Sequence, residues 1–129
     1  MAPRVESPTV SAQTNLEQLL SDETLLALPD AADILGVPVT RVHDFVGARK
    51  LVMYVRDGKK FIPARLLGDD GLSKFVSGAI TVLADGGYND EEILAFLYTE
   101  DDTLPGRPID ALHGQKAREV IRRAQAMAF

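Results

Sequence analysis

The sequence predicts a mainly α-helical protein with one small β-hairpin, and three observations carry that expectation. Ala31, Ala32 and Leu35, then Val42, Phe45 and Val46, recur at the spacing of two short amphipathic helices. Gly36 breaks the pattern between them, where a turn needs a residue tolerant of positive φ. Directly afterwards, strand-like residues flank Asp57-Gly58, a favourable hairpin turn, in a stretch rich in Arg and Lys. Helix, turn, helix and basic hairpin, in that order over Leu28 to Arg65, make a helix-turn-helix with a wing. Bacterial proteins use that device to set one helix in the DNA major groove. The expected organisation is a disordered tail over 1–13, a winged helix-turn-helix DNA-binding domain over 14–68, and a helical C-terminal extension over 69–129.

Each element has a local reason. Residues 1–13 hold two prolines, small polar residues and no periodicity, as a disordered tail does. Thr14-Asn15-Leu16-Glu17 has the form of a capping box and starts a short helix through Leu19 and Leu20. Leu25, Leu26 and Leu28 form an apolar approach to the motif. Pro29 suits the first turn of a helix, since its missing N–H costs nothing there. Asp30 and Asp33 face water while the Ala pair lets the next helix cross closely. Pro38 reopens a helix that buries Val42, Phe45 and Val46 and turns Thr40, Arg41 and Asp44 outward, with His43 at the margin. Gly47 weakens that helix.

Leu51–Arg56 reads as a strand and Lys59–Ile62 as its return, and Pro63 begins a short helix through Leu67. From Gly71 onward the chain reads as helical. Phe75, Ile80 and Leu83 mark one apolar helix, stopped by Gly86-Gly87. Asn89 caps the next, with Asp90, Glu91 and Glu92 in its first turn, where the helix dipole favours acids. Ile93, Phe96 and Leu97 supply its core face. Thr99 to Arg107 is an acidic loop, Pro108 restarts a short helix, and Gly114 separates that from a last helix lined by Ala117, Val120, Ile121 and Ala124.

Composition bounds the function classes. The 129 residues are 46% hydrophobic, enough for a core, and no run approaches the roughly 18 apolar residues of a membrane span. There is no Cys, which excludes disulfides and thiol catalysis and fits a reducing cytosol. The net charge of −5 is unevenly placed. Residues 1–28 carry one base and four acids, residues 29–67 seven bases and four acids, and residues 68–129 six bases and eleven acids. The only positive block is the block that reads as a DNA-binding motif.

A helix pair alone would be an ordinary αα-hairpin; the basic hairpin that follows is what favours the winged motif. On that reading the helix after Pro38 enters the major groove. Arg41 meets a base edge, and Thr40 and His43 reach a base or a phosphate. Arg56, Lys59 and Lys60 on the wing contact phosphates or the minor groove, and Arg49 and Lys50 contact the backbone. Asp44 repels phosphate, so it reads a cytosine amino group or lies outside the contact. His43 and His113 are not at metal spacing, the acid runs Asp69-Asp70 and Glu100-Asp101-Asp102 lack the form of a calcium loop, and no nucleophile elbow or phosphate-binding Gly loop occurs. No enzyme activity, metal or cofactor is expected.

Two resemblances follow from these residues. Leu28 to Leu67 resembles the winged helix-turn-helix of the excisionase and MerR class, with its Ala-Ala helix before a Leu-Gly-Val turn. Nearly the whole chain from Leu28 resembles a small actinobacterial DNA-binding protein family, on the stretches LGVPVTRV, ITVLADGGYNDEEILAFL and RPIDALHGQKAREVIRRAQAMAF. The mycobacterial member of that family is a substrate of a membrane Ser/Thr protein kinase. The resemblance implies double-stranded DNA as partner, a role in transcription regulation, and phosphorylation of a tail Thr that weakens binding. Thr9 is the nearest match by context. A phosphate there would add roughly 1.5 to 2 negative charges to a weakly positive chain. The segment GRPIDAL with its last helix also resembles the toxin-binding part of some antitoxins. The alternative is therefore an adaptor that binds a protein partner through its C-terminal helices. The expected location is the cytoplasm, at the nucleoid.

Overall fold

The computed structural model describes residues 16–68, 71–104 and 106–128. The tail expected over 1–13, with Thr9, lies outside the described residues, as do Thr14, Asn15, Asp69 and Asp70. A helical turn over 16–19 opens the described chain and buries Leu16 and Leu20. Strand β1 follows at Leu25–Ala27, then helix α1 at Leu28–Leu35 and helix α2 at Val39–Gly47. Pro29 sits in the first turn of α1. Gly36 closes that helix at φ 70°, and the Val37 N–H reaches back to the Ala32 carbonyl at 3.0 Å.

Strands β2 (Tyr54–Arg56) and β3 (Lys59–Pro63) form the wing hairpin. Asp57 and Gly58 both have positive φ, 53° and 78°, the geometry of a tight turn whose twist matches its strands. Strand β1 adds to the outer edge of β3, giving an antiparallel sheet of order β1-β3-β2 with Leu26 opposite Ile62. A 3-10 turn at Ala64–Leu66 and a two-residue ladder, β4 (Leu67–Gly68) with β5 (Gly71–Leu72), lead to the second half. There α3 (Lys74–Asp85), α4 (Asp90–Tyr98), α5 (Pro108–Leu112) and α6 (Ala117–Ala128) follow. Ser73 caps α3, and Asn89 with Glu92 forms a reciprocal capping box on α4 at 2.8 and 2.9 Å.

Several expectations are corrected. The apolar approach Leu25–Ala27 is a strand, because β3 offers it an edge. The strand expected from Leu51 begins at Tyr54, while Leu51 and Val52 are buried without ladder pairing. The short helix after Pro63 shrinks to a 3-10 turn, and Gly71–Leu72 pairs as β5 before the helical region begins. Phe75 is 38% exposed instead of core; the buried stripe of α3 is Val76, Ala79, Ile80 and Leu83. On α4, Phe96 is only half-buried, whereas Leu94 and Tyr98 are fully buried beside Ile93 and Leu97.

Helices α3 and α6 run parallel, as Gly78 faces Ile121 and Gly86 faces Ala128. A Cβ at Gly86 would lie 2.5 Å from that of Ala128, so glycine is what lets the end of α6 approach. Buried residues of both halves, among them Val42, Leu51 and Ile62 with Ile80, Leu94 and Val120, belong to one continuous core. Polar ties cross the same boundary. Arg107 meets Glu23 at 3.1 Å and Asp110 at 3.2 Å, and Asp110 also accepts from Arg65. The Arg107 guanidinium lies 5.2 Å from the centre of the Tyr98 ring.

Candidate nucleic-acid interface

Helix α2 is anchored by Val42, which is fully buried, with Phe45 and Val46 packed beside it. That anchoring turns Thr40, Arg41, His43 and Asp44 to the surface. Thr40 and Asp44 are one helical turn apart, with Arg41 next to them on the same outward side. Arg41 lies 5.1 Å over the ring of Phe45, which lines the guanidinium up along the helix. Val39, at the first position of α2, is also exposed. Sequence reasoning passed over both Phe45 as a support and Val39 as surface. By spacing Val39 falls on the Val42–Val46 stripe, and it is exposed because it is the first residue of the helix, directly after Pro38.

The far end of α2 is held by the C-terminal half. Arg49 has φ 65°, unusual for a residue with a side chain, and the Lys50 N–H closes the helix onto the Phe45 carbonyl at 2.9 Å. The Thr81 hydroxyl donates to the Arg49 carbonyl at 2.7 Å and the Ser77 hydroxyl to the Lys50 carbonyl at 3.0 Å. The Arg49 guanidinium reaches Asp85 at 3.5 Å, both side chains being more than half exposed. Lys50 is exposed.

On the wing, Arg56 stands directly opposite Lys59, and Val55 opposite Lys60. Successive pairs alternate faces, so Arg56 and Lys59 share one face with the Tyr54–Phe61 pair, and Lys60 lies on the other with exposed Val55. An open groove of about 400 Å³ runs between that first face and β1, where Glu23 and Asp57 bring carboxylates beside Arg56 and Lys59. At the wing's base Tyr54 is buried; burial first, then the Glu17 carboxylate, holds its phenol above the ordinary range. The structure thus gathers Thr40, Arg41 and His43 on one helix, pairs Arg56 with Lys59, sets Lys60 apart, and ties Arg49 to α3. The remaining base of the positive block, Arg65, is turned to Asp110.

Among the described residues no three His, Cys, Asp or Glu side chains gather to hold a metal. His43 is exposed, and His113 Nε2 lies 2.6 Å from the Arg65 carbonyl. No helix of the described residues is long and apolar enough to cross a membrane.

Comparison with known proteins places this geometry. Residues 13–67 match the family described as "DNA-binding protein Rv2175c, wHTH domain", and residues 74–128 match "Rv2175c C-terminal domain of unknown function". The chain is 41% identical to the DNA-binding protein Rv2175c of Mycobacterium tuberculosis, over 84% of its own length and 83% of the relative's. It belongs to the Rv2175c family. The fold agrees: the solved NMR structure of Rv2175c superposes with a TM-score of 0.77 at 36% identity, covering 98% of this chain and 87% of that one. For a member of the Rv2175c family, α1, α2 and the β2–β3 hairpin are the helix-turn-helix and its wing.

Proposed function

We propose that the protein binds double-stranded DNA as a non-enzymatic regulator of transcription, with α2 in the major groove. The observation that carries this reading is the outward face of α2, where Arg41 is held over Phe45 beside Thr40, in the only stretch of net positive charge. Arg41 reads a base edge, and Thr40 and His43 reach a base or phosphate. Val39 suits a thymine methyl group. Arg56 and Lys59 together, and Lys60 on the other face of the wing, neutralise phosphates, as do Lys50 and Arg49 at the end of α2. With so few unpaired cations, binding is weak in general and selected by the α2 contacts.

Gel shifts and salt titrations test this. Arg41→Ala is expected to lose about 1–3 kcal/mol of discrimination at one base position. Lys59→Ala weakens all sequences alike and lowers the slope of log affinity against log salt by about 1. If neither variant changes affinity at low salt, this face is not the interface. The tail, with Thr9, carries the second part of the reading: a kinase-added phosphate there opposes the DNA face, so Thr9→Glu should bind more weakly than wild type at matched salt. We also read residues 14–68 as the DNA-binding unit and 69–129 as its helical support.

A further inference from the structure

Helix α3 leaves its largest apolar side chain outside the core. Phe75 is 38% exposed, while the rest of the helix buries Val76, Ala79, Ile80 and Leu83. Phe75 and Gly78 on α3, with Ile121 on α6, floor an open groove of about 360 Å³ between the two parallel helices. The absent side chain at Gly78 deepens it, for a Cβ there would already touch Ile121 at 3.6 Å. The rim is cationic, with Lys74 on α3 and Arg118 and Arg122 on α6. Lys74 and Arg118 form no ion pair among the described residues, and Arg122 shares Glu119 with Arg123. These cations gather within a segment, 68–129, where acids outnumber bases eleven to six.

We propose that this groove docks a short acidic amphipathic segment of a partner protein. Its apolar side chains would lie on Phe75 and Ile121, and its carboxylates on Lys74, Arg118 and Arg122. The volume is at the small end of the roughly 300–1,000 Å³ of ligand sites, which fits the anchor side chains of one helical turn or two. Charge selects this occupant. A second copy docked by two-fold symmetry would set the three cations against themselves. Duplex DNA matches the rim but brings nothing apolar to cover Phe75 and Ile121. No residue of α2 or of the wing lines the groove, so the proposal stands whether or not the α2 face binds DNA.

The test uses the full chain against a display library of random helical peptides. Selected peptides are expected to carry Asp or Glu beside two apolar residues one helical turn apart. Their affinity, read by fluorescence anisotropy, should fall about tenfold or more in Phe75→Ser and in Arg118→Glu, as for a central contact, and stay unchanged in Lys60→Ala. Both test positions are on the surface, and circular dichroism verifies that each variant is folded. The proposal is overturned if selected peptides lack acidic residues, or if neither substitution alters their binding. It is overturned equally if duplex DNA displaces the peptide and Arg118→Glu lowers DNA affinity, which assigns the groove to nucleic acid. A dimer seen by sedimentation in wild type and lost in Phe75→Ser would give the groove to a second copy. Arg41→Ala should keep full peptide binding, so failure of the DNA reading and failure of this one are told apart.

Discussion

The Tyr98 hydroxyl is buried with no hydrogen-bond partner among the described residues. Burial above all, with the Glu23 carboxylate adding to it, pushes the phenol far above its ordinary range although Arg107 opposes the shift. The ring itself is useful, because it backs the Arg107 guanidinium. Tyr98→Phe keeps the platform and removes an unsatisfied hydroxyl, so it should stabilise the fold by about 1 kcal/mol. Urea denaturation checks this: the midpoint should rise at unchanged slope, and a lower midpoint would mean that the hydroxyl is satisfied. Tyr98 completes the buried stripe of α4 with Ile93, Leu94 and Leu97 at helical intervals, and the expected core face, with Phe96 in it, was turned away from that stripe. Phe75 misled for a related reason. The true stripe on α3 is Val76, Ile80 and Leu83, at helical intervals, and Phe75 sits about 100° away from Val76 around the helix.

At the level of elements, the end of α2 shows how tertiary contacts displace a local signal. A glycine suits a left-handed helix cap, yet Gly47 is the last helical residue and Arg49, two residues later, takes the positive φ. A side chain in that conformation costs roughly 1–2 kcal/mol, and the exposed Arg49–Asp85 pair returns little. Arg49→Gly is therefore expected to raise stability by about 0.5–1 kcal/mol, measured by chemical denaturation, even as it removes a cation from the proposed DNA contact. A loss of stability would show that the pair with Asp85 is stronger than its exposure allows. The helix pair, the wing turn at Asp57-Gly58 and the Asn89 cap were legible because their chemistry is local. Strand β1 and the β4–β5 ladder were not, since two or three residues carry no period and exist only through their partners.

Over the whole molecule, a positive block between two acidic flanks was legible from counting residues, but the shared core and the ion-pair network were not. Glu23, Arg65 and the local Arg107–Asp110 pair come from three segments far apart in the chain, and only the fold brings them together. Burial alone would raise the Asp110 carboxyl, but hydrogen bonds from Arg107 and then Arg65 outweigh it and hold the group below the usual carboxylate range. The unfolded chain therefore takes up the proton first as the solution is acidified. The contribution is complete above the ordinary value of about 3.9 and is lost as pH falls through the lower native value. Asp110→Asn should be less stable at neutral pH by about 1–2 kcal/mol, the group being partly solvated, and should lose less stability than wild type between about pH 5 and pH 3. Parallel stability curves for the two proteins would show that Asp110 is not the acid-sensitive member.

The hydroxyls of Ser77 and Thr81 hold α2 by the carbonyls of Lys50 and Arg49, not by their side chains. A main-chain grip is indifferent to residue type. Position 50 can therefore exchange one side chain for another while the scaffold keeps its shape, and position 49 can do so among residues that tolerate positive φ. This makes them natural sites for retuning affinity, by evolution or by design, without rebuilding the fold.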